Sequence, residues 1–189
     1  FRIGVLLYGK TNITYTGYDA YKTVIDYNND KFKNYKTFNF IHSDFTSVKE
    51  RKNINTADVC IIKDVLQHLP TKIIIQFMNY IIKSHKFKYI LLINCYNTTP
   101  ENTITFRKDI KPGEFSSLSA LRYPLNKYDA KVIYKWDTKE VSLININKLF
   151  VKVISKIKTL KGGANHTPIA CNQENIIEIF SNQVYETNK

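Results

Sequence analysis

Ala57-Asp-Val-Cys-Ile-Ile-Lys63-Asp64-Val-Leu-Gln-His68-Leu-Pro70 is the stretch on which the fold turns. From Ala57 to Ile62 it is almost continuously apolar, the composition of a parallel strand buried on both faces. A charged pair, Lys63-Asp64, stops the run, and a short helical turn then carries His68 before Pro70. A strand that ends in charge and leads into a helix is the beginning of a βαβ unit.

The flanking sequence continues that alternation. Downstream, Thr71 to Ser84 repeats Ile74, Phe77, Met78, Ile81 and Ile82 at three- and four-residue spacing, which predicts a helix with one apolar stripe. Tyr89 to Asn94 is the next strand. Upstream, Ile13 to Tyr18 and Phe38 to His42 are strand-like and bracket a helix over Ala20 to Asn28, which the polar stretch Asn29 to Tyr35 ends. Ser47 to Thr56 is expected to be a charged loop, and Phe1 to Tyr8 the end of a helix closed by Gly9. Beyond Asn97 the pattern gives way to turn formers, among them Pro100, Pro112-Gly113 and Pro124. Lys131 to Trp136 and Glu140 to Ile146 then predict an antiparallel hairpin turning at Asp137 to Lys139. Leu149, Val153, Ile157 and Leu160 space out a last amphipathic segment, which Gly162-Gly163 breaks.

The 189 residues, 43% hydrophobic and 13% aromatic, suffice for one ordinary core and argue against general disorder. No apolar run approaches the length needed to cross about 30 Å of hydrocarbon, so no membrane partner is expected. Cys60, Cys95 and Cys171 lack metal-ligand spacing and are expected as buried thiols in a reducing, cytoplasmic compartment. His42, His68, His85 and His166 lack it too, so no metal is expected. The net charge of +12 makes a nucleic-acid partner possible. The lysines are scattered, however, and a lysine-solvated surface is the simpler account.

Two strand ends carry candidate chemistry. Thr14-Tyr-Thr-Gly-Tyr-Asp19 ends in a carboxylate where α/β sheets bind ligands, so Asp19 is either a ribose ligand or the cap of the next helix. Phe40-Ile-His-Ser-Asp44-Phe45 ends alike, with an aromatic ring behind the acid. Asp44 is either an acceptor for an exocyclic adenine amine, with Phe45 covering the ring, or a solvated turn residue.

Taken in order, these three segments resemble the class I S-adenosylmethionine-dependent methyltransferase family over about residues 1 to 146. The family pattern D-V-x-x-x-x-D-V-L-x-H-L-P, matched at Asp58 to Pro70, is the most specific part. The resemblance implies an α/β, Rossmann-like, mostly parallel sheet with helices on both faces and a C-terminal antiparallel hairpin. It implies that Asp19 holds the ribose of S-adenosyl-L-methionine and that Asp44 and Phe45 hold the adenine, with Tyr18, Ser43 and Lys63 as further cofactor-binding residues. Lys63 with Asp64 would line the methionine end or the substrate mouth, and His68 would lie near the pocket. The loop containing Asp109, Gly113, Arg122 and Tyr123 falls where family members carry substrate-determining insertions.

The sequence departs from the family in lacking the glycine-rich loop that approaches the cofactor after the first strand. None of Gly4, Gly9 and Gly17 forms G-x-G ahead of Asp19. The expectation is a chain that begins just after that loop, with the first strand missing and Phe1 to Tyr8 as the first helix. Residues 1–148 would then be a partial methyltransferase domain, 149–161 a terminal segment and 162–189 a linker and tail. Asp64 and His68 are the candidate general bases. The methyl acceptor cannot be read. The rival is a noncatalytic module of the same fold that binds RNA or a protein partner. A nicotinamide-dependent reductase fits the order of motifs less well.

Overall fold

The computed structural model describes residues 13–96 and 107–149. They belong to two compact units divided between Ile54 and Asn55. The expected helix Phe1 to Tyr8, the start of the turn-rich loop, the terminal segment beyond Leu149 and the tail lie outside the described residues.

In the first unit, β1 (Tyr15–Asp19) pairs in parallel with β2 (Phe38–His42), joined by α1 (Lys22–Lys31). A helix crossover is what parallel neighbours require. One face of α1 and one face of the strands make a small aromatic core: Ile25, Phe32, Phe38 and Phe40, with Tyr15 packed against it. The rings of Phe32 and Phe40 stack at 5.7 Å. The helix runs past Asn28, where its polar sequence had suggested an end. Asn29 is held there by a tertiary bond, its Nδ2 donating to the Phe40 carbonyl at 3.2 Å.

The expected loop after Ser47 instead begins with α2 (Val48–Arg51), whose first turn Ser47 caps by accepting the Glu50 amide at 3.4 Å. Ser-x-x-Glu was the signal for it.

The second unit holds a four-stranded sheet in the order β3-β4-β6-β5. β3 (Val59–Lys63) and β4 (Tyr89–Cys95) are parallel, linked by α3 (Thr71–Lys83). β5 (Lys131–Trp136) and β6 (Lys139–Asn145) form the expected hairpin, with β6 antiparallel to β4. The turn passes through Asp137 at φ +46°, a left-handed conformation that Asp tolerates. The chain is thus α/β, with parallel sheet portions, helices and a C-terminal antiparallel hairpin.

The register places Ile62, Leu92, Ser142 and Ile90, Ile144 on one sheet face, and all are buried. The α3 stripe of Ile74, Phe77, Met78, Ile81 and Ile82 is buried as expected. Leu125 and Tyr128, on a 3-10 turn after Pro124, join this core. The Tyr128 hydroxyl bonds to Asn79 Oδ1 at 3.1 Å, tying the turn to α3.

The opposite face corrects one expectation. β3 is buried on one side only, because Val59 and Ile61 are 43% and 46% exposed. Among the described residues β3 pairs with β4 alone.

Gly17 is required by close approach. A Cβ there would lie 2.9 Å from Phe40 Cδ1 and 3.1 Å from Tyr15 Cε1, both in the aromatic core. Gly17→Val should therefore lower stability by about 1–3 kcal/mol through overpacking. Urea denaturation checks this, with an unchanged midpoint as the contrary result.

Candidate functional site

Parallel pairing releases β1 and β2 at one edge, and the sequence candidates of the first unit meet there. Asp19 is the last residue of β1, and its carbonyl accepts the Ser43 amide at 2.9 Å, extending the ladder one step beyond β2. His42 Nε2 donates to the Ala20 carbonyl at 3.0 Å and holds the two exits together. The Tyr18 and Phe45 rings meet edge to face at 5.9 Å.

Both carboxylates are partly committed to their own turns. Asp19 Oδ1 accepts the Tyr21 amide at 2.8 Å. Asp44 Oδ1 accepts the Thr46 amide at 2.8 Å and hydroxyl at 2.7 Å. Among the described residues no hydrogen bond reaches Oδ2 of either. Ser43 is 4% exposed, and its buried Oγ has no hydrogen-bond partner. Since a buried polar atom ordinarily finds a partner, this orphan hydroxyl beside two half-used carboxylates fits a polar ligand at this edge. These donors and acceptors suit a ribose and an adenine.

Two residues that sequence reasoning missed build the loop. Glu50 Oε2 accepts the Asp44 amide at 2.5 Å. Arg51, 2% exposed, donates from Nε to the Phe45 carbonyl at 2.5 Å and from its Nη2 to that of Thr46 at 3.1 Å. A guanidinium is suited to such a role because it offers several donors in a fixed fork.

In the second unit the candidates gather at the carboxyl end of β3. Asp64 follows the strand at φ +55°, and its amide donates to the Ile93 carbonyl at 2.9 Å. This left-handed conformation is uncommon for a non-glycine residue. It is over-determined here: Asp64 takes Lys63 Nζ at 2.6 Å, Lys139 Nζ, and Gln67 Nε2 at 3.3 Å. Partial burial draws the carboxyl upward, but the hydrogen bonds and charges of Lys139 and Lys63 outweigh it, leaving Asp64 below its ordinary pKa. Lys139 is raised in turn by its bonds to Asp64 and Cys95.

Gln67 carries no signal in the sequence, where it sits between the more conspicuous Asp64 and His68. It is 4% exposed, and its Oε1 accepts the Cys95 amide at 2.6 Å. That contact fixes which end of the amide is oxygen, so Nε2 must be the donor toward Asp64 and toward His68 Nε2, 3.4 Å away. His68 Nδ1 faces the Glu114 carbonyl at 3.2 Å, an acceptor only. The imidazole therefore carries its hydrogen on Nδ1, and its Nε2 lone pair accepts the Gln67 amide.

The loop after β4 is fastened over this turn. Gly113, at φ +88°, donates its amide to the His68 carbonyl at 2.9 Å. Arg107 donates to the carbonyls of Leu69 at 2.8 Å and Gln67 at 3.0 Å. Asp109 accepts the Thr71 amide at 2.8 Å, a bond that holds its carboxyl below the ordinary range. Asp109 and Gly113 thus reach the His68 turn. Arg122 and Tyr123 adjoin the 3-10 turn, where Lys127 lies 4.7 Å from the Tyr123 ring centroid.

Burial pushes the Cys60 thiol up to about 12, so it carries no thiolate at neutral pH. Cys60 and Cys95 are half-buried free thiols, while Cys171 lies outside the described residues. Among the described residues no group of His, Cys, Asp and Glu has the arrangement of a metal site, and no helix is long and apolar enough to cross a membrane.

No family model matches this sequence, and no curated protein matches it. Among solved structures the chain is similar to the methyltransferase domain of bacterial CtHen1-CN. The identity is 14%, covering 76% of this chain and 83% of that one, with a TM-score of 0.48. It is also similar to M. capricolum TrmK in complex with the natural cofactor product S-adenosyl-homocysteine, at 12% identity over 98% of this chain and 84% of that one, with a TM-score of 0.41. At such identities and scores neither likeness transfers a residue role.

The depressed Asp64 pKa has a direct consequence for acid stability. A carboxylate lowered on folding contributes stability that is present above its unfolded pKa, near 4, and is lost as pH falls through the lower folded value. Asp64→Asn tolerates the same backbone but removes the charge. Its stability should fall less steeply than that of the unsubstituted chain below about pH 4. Urea midpoints measured across that range test this, and parallel pH profiles would contradict it.

Proposed function

We propose that this chain binds S-adenosyl-L-methionine and transfers its methyl group to an acceptor. The observation that carries the reading is the edge of the first unit, where Asp19, Asp44, the orphan Ser43 hydroxyl, Tyr18 and Phe45 meet. Asp19 accepts hydrogen bonds from the ribose hydroxyls through Oδ2. Asp44 accepts from the adenine amine, with Phe45 against the ring and Ser43 supplying a further polar contact. When bound, the cofactor supplies a methyl group on a sulfonium, which is already a good leaving group.

The protein's task is then orientation and, for a poorly ionised acceptor, removal of a proton. His68 is the better base of the two candidates where an acceptor displaces the Gln67 amide from its Nε2 lone pair. Asp64 is ionised well below neutral pH and is a weak base. It is held by Lys63 and Lys139 and orients His68 through Gln67.

A second reading has a specific observation behind it. Asp64 is already paired with two lysines, which suits a structural carboxylate in a noncatalytic module that binds RNA or a protein.

Asp19→Ala should weaken S-adenosylhomocysteine binding by about ten- to a hundredfold in calorimetry, the value of a hydrogen bond to a charged group. Turnover of labelled methyl donor against pooled RNA, protein and small-molecule acceptors then separates the readings. Binding without turnover on any pool would favour the module, and equal affinity of the variant would remove Asp19 from the site.

A further inference from the structure

Residues 113–120 form a strap across the edge of the second sheet where β3 and β4 end and β6 begins, and the strap's amides show what holds it. Gly113 donates to the His68 carbonyl at 2.9 Å, Ser116 to the Gln67 carbonyl at 3.1 Å and Leu118 to the Cys95 carbonyl at 2.7 Å. Ala120, two residues further on, donates instead to a side chain: Glu140 Oε1 accepts its amide at 2.7 Å.

Glu140 is 2% exposed. A carboxylate so deeply buried is costly unless its lone pairs are filled, and here most of the donors come from the strap. Ser119 Oγ donates to Oε1 at 3.2 Å and to Oε2 at 3.0 Å. The Leu121 amide, donating to that same Oγ at 3.2 Å, occupies a lone pair of the hydroxyl and leaves its hydrogen for the acid. Ser142 Oγ at 3.2 Å and Lys135 Nζ at 3.5 Å complete the set.

We propose that Glu140 is a positioning residue for His68, acting through the strap. Two groups on the strap reach the imidazole: the Glu114 carbonyl, 3.2 Å from Nδ1, and the Phe115 ring, 5.8 Å between centroids. Phe115 is 57% exposed, so burial does not press this end of the strap into place. Burial begins at Leu118 and Ala120, which are 2% and 3% exposed, and these two residues tie the strap to the sheet. Of their two acceptors only the Glu140 carboxylate is a side chain, and it alone also holds Ser119. Its neighbour Lys139 pairs with Asp64, whose partner Gln67 faces His68 Nε2. Consecutive residues of β6 thus govern the two ring nitrogens, Lys139 through Asp64 and Gln67, Glu140 through the strap.

The consequence for proton removal rests on reading His68 as the base, but the tautomer belongs to the protein without any donor and is tested without methyl transfer. Nitrogen NMR of the imidazole, at a pH where the ring is neutral, should show the hydrogen of His68 on Nδ1. Glu140→Leu removes every acceptor at similar volume, a replacement that buried charges often tolerate. It should speed exchange of the Ala120 amide by about tenfold or more and give His68 the averaged nitrogens of a tautomer mixture. Glu140→Gln keeps an oxygen for the Ala120 amide and should restore the Nδ1 form.

A purely structural role would lower the urea midpoint of Glu140→Leu yet leave the His68 nitrogens of the folded protein unchanged, and that result would overturn the proposal. Should Glu140→Leu fail to fold, Ser119→Ala weakens the same anchor from the strap's side. It should move the His68 nitrogens in the same sense by a smaller amount, and nitrogens that stay put would overturn the proposal equally.

Discussion

Parallel pairing of strands is the constraint from which the rest follows. Two parallel neighbours must release their chains at the same edge, and each needs a crossover to return. In the first unit this brings Asp19 and Ser43-Asp44-Phe45 side by side although more than twenty residues separate them. In the second it sets the Asp64 turn beside the end of β4, where the Ile93 carbonyl accepts its amide. Neither cluster depends on a local sequence motif alone. Each exists because strand direction places chemistry-bearing residues at one end.

Within the second unit the buried Gln67 amide distributes this constraint further. Its oxygen is fixed by the Cys95 amide, and its nitrogen consequently serves both Asp64 and His68. The tautomer of His68 is completed from the other side by the Glu114 carbonyl, carried on a loop that Arg107, Asp109 and Gly113 fasten down. Sequence-distant segments thus meet in a hydrogen-bonded network, where removing one partner strands another buried group. The two lysines on Asp64 give the same network its electrostatic character, an ionised acid rather than a proton acceptor.

Hydrophobic periodicity made most elements legible, with Phe38–His42 and Lys131–Trp136 found at their full extent and α3 recovered with its whole stripe. What periodicity could not show was tertiary. Asn29 prolongs α1 because it reaches Phe40, which no local rule encodes. The short α2 was readable only from Ser47 and Glu50, and a charged composition hid it. The apolar run of β3 suggested burial on both faces, yet Val59 and Ile61 remain open because composition does not say whether both faces of a strand are covered. At the candidate site, conspicuous residues such as Asp19, Asp44, Asp64 and His68 were legible. The residues that hold them, Arg51, Gln67 and Lys139, lie beyond local reading, since their roles come from burial and from contacts far along the chain.

The proposed function requires the edge formed by β1 and β2 to receive a nucleoside-containing methyl donor. Amide NMR spectra of the protein titrated with S-adenosylhomocysteine test it most directly. Saturable shifts of the Asp19, Ser43, Asp44 and Phe45 amides, reproduced in part by adenosine alone, are the predicted result. Saturation that leaves these four amides unmoved, or no binding at all, would contradict it.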